Sequence, residues 1–149
     1  MKFSFSPVKS KTKQKKTILF VCVENAGRSQ MAEGFFRKYA SQDYEPISAG
    51  TRPAGEINHL AIEVMKEDGI DISKQKSKDL TEDMMRYSYK IVNMGCMEKE
   101  ACPSLFIYNL TDWGIEDPKG KQIEKVREIR DEIERRVRHL AADLNKQDS

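Results

Sequence analysis

Apolar and polar positions along the chain alternate between two periods. Thr17–Val21 is a short β-branched and apolar run that reads as a buried strand ending at Cys22. From Ser29 the period changes: Met31, Phe35 and Tyr39 recur at spacing four with Ala32, Phe36 and Ala40 beside them, which predicts a helix with an apolar stripe. Tyr44–Ser48 reads as a second strand running into the loop Ser48-Ala49-Gly50-Thr51-Arg52-Pro53. Ile57–Glu67 is helical, with Leu60, Ile62, Val64 and Met65 among charges, and stops at Asp68-Gly69. Ile70-Asp71-Ile72 and the lysine-rich Ser73–Lys78 form a polar connection. A short helix is expected over Thr81–Arg86 with Thr81 as its cap. Lys90–Met94 and Leu105–Asn109 read as strands three and four, and residues 122–144 as a closing helix. The stripe of that helix is Ile123, Val126, Ile129, Ile133, Val137, Leu140 and Leu144. Strands alternating with helices imply an α/β fold, a parallel sheet covered by helices on both faces. Ligands of such sheets bind beyond the carboxyl ends of the strands, where the loop after Cys22 falls.

Composition and charge narrow the function classes. A chain of 149 residues suits one domain with a proper core. The net charge of +2 is unevenly placed: six of the 26 basic side chains lie in residues 1–16, which hold no acid, so residues 17–149 carry 20 against 24, net −4. A mildly acidic domain argues against nucleic-acid binding as its main business. Residues 1–16 read as a disordered basic tail ahead of a single domain at 17–149. The apolar run after the tail is too short for a signal peptide, and no stretch reaches membrane-spanning length. Three cysteines do not make a paired disulfide framework, which places the protein in the reducing cytoplasm.

Between the first strand and the first helix lies Cys22-Val23-Glu24-Asn25-Ala26-Gly27-Arg28-Ser29. The first N–H groups of a helix lack intrahelical acceptors and the helix dipole is positive there, so such a turn can cradle a tetrahedral oxyanion with main chain alone. The same field stabilises a thiolate and can bring a cysteine pKa from roughly 8.5 into the range ~3.5 to 7.5, which makes Cys22 a candidate nucleophile. Arg28 can hold two oxygens of the anion in bidentate fashion. Gly27 lets backbone approach closely, Asn25 tolerates positive φ, and Ser29 can either cap the helix or donate to the sulfur. Nucleotide-binding glycine motifs of the G-x-x-x-x-G-K-[ST] or G-x-G-x-x-G type are absent from the loop.

Two other loops follow strands and could converge on the same place. Gly95-Cys96-Met97-Glu98-Lys99-Glu100-Ala101-Cys102-Pro103 holds two thiols with five residues between them. Zinc would need a fourth ligand with better spacing than His59 or His139 offers, whereas a disulfide cascade needs thiols near an activated cysteine. Trp113–Lys121 is a surface loop suited to positioning an acid, although Asp117 on composition alone reads as an ordinary turn residue.

With these residues assembled, the chain resembles the thioredoxin-coupled arsenate reductase family, which shares the low-molecular-weight protein tyrosine phosphatase fold. CVENAGRSQMAEGF is similar to the family's anion loop, SAGTRPAGEIN to the next loop, GCMEKEACP to the redox segment and DWGIEDPKGK to the acid loop. The resemblance covers residues 17 to about 142 and implies three layers around a four-stranded parallel sheet in the order 2-1-3-4. It makes Cys22 the nucleophile, Arg28 the anion-binding arginine and Asp117 the general acid, and it assigns Asn25, Ser29 and Ser48 to holding the loop in shape. Val23, Glu24, Ala26 and Gly27 complete the oxyanion-binding loop. It further implies a Cys22 thiol-arsenate adduct, a Cys22–Cys96 disulfide, and a Cys96–Cys102 disulfide for thioredoxin or a related dithiol to reduce. A monomer with no metal and no organic cofactor is expected. Two other functions stand beside this one. A tyrosine phosphatase would act through a phosphocysteine at Cys22, but it walls its pocket with aromatics, and Lys119 and Gly120 follow the Asp-Pro here. A non-catalytic oxyanion sensor would not require Cys22, Cys96, Cys102 and Asp117 together.

Overall fold

The computed structural model describes residues 14–95 and 110–147. Cys96, Cys102 and the expected strand Leu105–Asn109 lie outside the described residues, as does the tail up to residue 13. The elements in chain order are β1 (Lys16–Cys22), α1 (Arg28–Tyr39), β2 (Tyr44–Gly50), α2 (His59–Glu67), α3 (Glu82–Tyr87), β3 (Lys90–Asn93), β4 (Leu110–Asp112) and α4 (Ile123–Gln147). All four strands are parallel and lie in the order β2-β1-β3-β4, so the expected 2-1-3-4 sheet is the one formed.

Side-chain alternation along β1 builds the layers. Ile18, Phe20 and Cys22 point to the face covered by α1, α2 and α4, where Met31, Phe35 and Phe36 of α1 meet Val126, Ile133 and Val137 of α4. Leu19 and Val21 point to the opposite face, with Ala49, Ile91 and, partly buried, Leu80, Met84 and Met85 of the α3 region. Because β1 is buried on both faces, its sequence is a continuous apolar run rather than an alternation. Pro46 lacks a ladder donor and is accommodated because β2 is an edge strand.

Several boundaries differ from expectation for identifiable reasons. β1 begins at Lys16, inside the span read as a tail, because Lys16 pairs with Tyr44 and donates its N–H to the Asp43 carbonyl at 2.9 Å. β2 runs on to Gly50, two residues past the expected end, since Ala49 and Gly50 stay in register with Val21 and Cys22. The helix expected from Ile57 begins at His59, where the Asn58 side chain caps it by accepting from the N–H groups of Leu60 and Ala61. Thr81 caps α3 as expected, its hydroxyl accepting from Met84 N–H. Helix α4 carries the expected stripe, but buried Arg130 sits inside it, donating to the Val64 carbonyl at 2.9 Å and to Glu67 at 2.7 Å.

Candidate active site

The Cys22 loop closes over the carboxyl end of β1, and its carbonyls set its shape. Thr51 N–H donates to the Cys22 carbonyl at 3.1 Å, Arg52 N–H to Val23 at 2.7 Å, Ala54 N–H to Glu24 at 2.9 Å and Asn58 N–H to Ala26 at 2.8 Å. The Asn25 carbonyl accepts from Gln30 Nε2 at 2.9 Å. In a trans peptide the N–H points opposite to the carbonyl before it. Turning these five carbonyls outward therefore turns the N–H groups of Val23, Glu24, Asn25, Ala26 and Gly27 to the inside of the loop. The Asn25 N–H does point there, donating to Cys22 Sγ at 3.1 Å. A ring of inward amides at a helix start is an anion cradle made of backbone.

Asn25 is the keystone of this curl. It is fully buried with φ at 49°, the left-handed conformation that asparagine tolerates. Its Oδ1 accepts from Lys78 N–H at 2.8 Å, a partner that can only donate, so the orientation of the amide is fixed. Asn25 Nδ2 therefore donates to Ser29 Oγ at 2.8 Å, and the Ser29 hydroxyl lies 2.9 Å from Cys22 Sγ, to which it donates when the sulfur is a thiolate, a group that can only accept. The sulfur thus sits at the end of a chain of donors, an arrangement that favours its thiolate. Of the two roles open to Ser29, the structure assigns the donor to sulfur. Gly27 is the N-cap of α1, with no side-chain cap bond, and the helix starts at Arg28.

Arg28 is buried, its Nη1 donating to the Ile115 carbonyl at 2.7 Å and its Nη2 lying 3.5 Å from Asp117 Oδ2. The second contact joins a guanidinium 7% exposed to a carboxylate 58% exposed, so Asp117 stands at the rim while Arg28 forms part of the wall. Asp117 Oδ1 accepts from Lys119 N–H at 3.0 Å, which makes the Asp-Pro-Lys stretch a turn aimed at the cavity. The acid loop is seated tightly: a Cβ on Gly27 would lie 3.1 Å from Pro118 Cγ. Val23, Glu24, Ala26, Asn58, Gly95 and Ile115 complete a cavity of about 500 Å³ with Cys22 and Arg28 at its base.

The structure therefore brings Cys22, the 23–27 amides, Arg28, Ser29 and Asp117 together. Ser48 differs from expectation. Its hydroxyl donates to buried Glu33 of α1 at 2.6 Å, so it fastens β2 to the helix and reaches no loop atom. The loop is held instead by residues that the sequence pattern had passed over. Gln30 bonds both Asn25 and the Lys76 carbonyl, Gln75 Nε2 donates to Gln30 Oε1 at 2.7 Å, and Ser77 Oγ donates to the Glu24 carbonyl at 3.1 Å. The lysine-rich stretch that reads as a polar connection is thus the outer brace of the anion loop. The hydrophobic pattern carries no signal for it: Gln30 shares a helix face with Glu33, Gly34 and Arg37, opposite the apolar stripe, and is fully buried in the fold beneath Gln75 and Lys76. Among the described residues, Asp68, Asp131 and Glu134 come close enough to share a cation, but Arg130 and the Tyr39 hydroxyl already engage them.

Comparison with known proteins agrees with this geometry. Residues 17–149 match the family model of low molecular weight phosphotyrosine protein phosphatases. An arsenate reductase of Brevibacillus brevis is 38% identical over 128 residues, covering 85% of this chain and 95% of that protein. The thioredoxin-dependent arsenate reductase of Corynebacterium glutamicum superposes with a TM-score of 0.77 at 36% identity, over 93% of this chain and 67% of the other. An arginine phosphatase of Geobacillus stearothermophilus superposes with a TM-score of 0.79 at 30% identity, over 89% and 94%. On its sequence, its sheet order and its loop, this chain belongs to the low molecular weight phosphotyrosine protein phosphatase family.

Proposed function

We propose that the protein is an arsenate reductase using a thiol relay, with thioredoxin or a related dithiol as its reductant. The observation that carries this reading is the make-up of the cavity. Its described lining offers a cysteine, inward amides and a buried arginine to a tetrahedral anion but no aromatic face to an aryl ester. Gly95, the residue bonded to Cys96, lies in that lining, so the chain enters its two-thiol segment from the wall of the site. The relatives named arsenate reductases support the same reading.

In the proposed reaction the Cys22 thiolate attacks arsenic while Arg28 and the loop amides hold the equatorial oxygens. Asp117 protonates the departing oxygen, which leaves as water, and an S–As bond forms. The Cys96 thiolate then attacks Cys22 sulfur. The S–As electron pair passes to arsenic, reducing it from the +5 to the +3 state as arsenite, and the two sulfurs form a disulfide. Cys102 displaces Cys22 from that disulfide, and the Cys96–Cys102 pair accepts two electrons from the dithiol. Arsenate-dependent NADPH oxidation in the presence of thioredoxin and thioredoxin reductase tests this directly. Turnover in wild type that is lost in Cys96→Ser is expected. Turnover in neither, with aryl phosphate hydrolysed equally by both, would refute it.

A phosphatase is the second reading, favoured by the family match and the arginine phosphatase likeness. It would use Cys22 as a phosphocysteine nucleophile and Asp117 as acid, and would leave Cys96 and Cys102 without a role in turnover.

A further inference from the structure

Across the mouth of the cavity runs an ion pair. Lys119 Nζ of the acid loop lies 2.8 Å from Glu24 Oε2 of the anion loop, and both residues line the cavity. Glu24 and nearby Asp117 hold the Lys119 ammonium above the ordinary lysine range, the Glu24 hydrogen bond contributing most. The acid loop is tied down at several points. Some are seated deep, among them the Arg28 bond to the Ile115 carbonyl, the Ile115 N–H bond to the Met94 carbonyl and the contact of Pro118 with Gly27. The Glu24–Lys119 bridge is the exposed tie that joins it to the anion loop at the rim.

We propose that the Glu24–Lys119 pair determines the substrate class of the site, admitting compact inorganic oxyanions and disfavouring aryl monoesters; this rests on the reductase reading above. In-line attack by Cys22 places the leaving oxygen opposite the sulfur, on the Asp117 side. Any substituent on that oxygen must project past Asp117 toward the rim, where Lys119 is two residues on and bridged to Glu24. An inorganic anion has no such substituent and leaves the bridge intact. An aryl ester must part it, exposing an uncompensated carboxylate beside a dianion. The pair also cancels the charge of Glu24, which stands in the anion loop itself and would otherwise repel the substrate. Exposed pairs are weak, so the selection is a bias of several-fold rather than an absolute barrier.

The test measures binding, not turnover, so its outcome is independent of the redox relay. In a Cys22→Ser background, calorimetry gives Kd for inorganic phosphate and for phenyl phosphate, with Glu24→Gln, Lys119→Met and the charge swap Glu24→Lys with Lys119→Glu added in turn. Preference for inorganic phosphate over phenyl phosphate should fall about fivefold in each single variant. It should return toward the parent value in the swap, which rebuilds the bridge. Unchanged preference in both single variants, or a swap no better than either, would overturn the proposal. Thermal melts report whether each variant is folded. Loss of arsenate turnover in wild type with these binding ratios intact would sink the reductase reading while leaving the gate standing.

Discussion

A single methyl group at Gly50 should disable the site by pressing on the anion loop from behind. Gly50 ends β2 and lies against the back of the anion loop: a Cβ there would be 2.5 Å from the Val23 carbonyl oxygen and 2.9 Å from the Asn25 nitrogen. Both neighbours are backbone and both are fixed, the Val23 oxygen by Arg52 N–H at 2.7 Å and the Asn25 nitrogen by Cys22 Sγ at 3.1 Å. Ordinary Cβ contacts lie at 3.4–4 Å, so Gly50→Ala must push the loop by nearly an ångström or shift β2 by as much. Overpacking of this kind costs about 1–3 kcal/mol. A loop displaced by about 1 Å loses the aim of its amides, a loss on the order of 10²-fold in rate. Gly34→Ala supplies the comparison. Its Cβ would meet Ile72 Cγ2 at 2.9 Å and Ile70 Cγ2 at 3.2 Å, side-chain atoms on the α1–α2 side of the core. That variant should lower the urea midpoint yet keep turnover within about threefold, since its strain falls on groups that can move away from the loop. Steady-state hydrolysis of a small aryl phosphate, with urea unfolding of each variant, reads both effects. Retention of near-wild-type kcat/KM in Gly50→Ala would refute the argument that the 50–58 segment sets the shape of the cradle.

Further outcomes follow from the hydrogen-bond chain and the charge network. Ser29→Ala removes the donor to Cys22 and strands Asn25 Nδ2, so alkylation of Cys22 by iodoacetamide at neutral pH should slow about tenfold, as a bond to a charged group is worth ~1.5–3 kcal/mol; an unchanged rate would place the thiolate's stabilisation elsewhere. Gln30→Ala leaves the Asn25 and Lys76 carbonyls without their shared donor and should destabilise the fold by about 1–3 kcal/mol and weaken inorganic phosphate binding in calorimetry. Glu67, hydrogen-bonded first to Arg127 and then to Arg130, has its pKa lowered from 4.5 to about 2. A depressed carboxylate contributes stability above its unfolded value and loses it as pH falls through the folded one. The urea midpoint of Glu67→Gln should therefore lie below wild type at pH 7, with the gap closing between pH 4.5 and 2. A gap of constant size across that window would mean that Glu67 acts through packing alone.

The legible part of this protein was the part governed by local rules. Val21 and Ile18 announce a strand buried on both faces, Met31, Phe35 and Phe36 a helix with one apolar side, and Thr81 a cap, because each depends on neighbours within a few residues. Asn25 and Gly27 were legible for the same reason: a loop that bends back on itself needs a residue at positive φ and one without a Cβ. Sequence order alone could not say that strand two lies outside strand one; that came with the resemblance and is what the sheet shows. What escaped was long-range polar bonding. The resemblance assigns Ser48 to loop support, and only the position of Glu33 on the facing helix shows where its hydroxyl goes.

Gln75, Ser77 and Lys78 look like solvated connection because their side chains are polar and their neighbours are lysines. Their importance lies in the Gln75 amide, the Ser77 hydroxyl and the Lys78 main-chain N–H, which meet Gln30 and the anion loop some fifty residues earlier. The donor chain to Cys22 is the consequence. It begins at the Lys78 main chain, where any residue but proline supplies the same N–H, and it becomes specific only on reaching the Asn25 amide and the Ser29 hydroxyl. A backbone donor leaves no mark in the residue type of position 78. The two side chains that carry the hydrogen-bond chain onward do leave one, in the spacing Asn-x-x-x-Ser within the loop. The sequence therefore declares the reactive end of the network, and the support beneath it becomes visible only when the chain is folded.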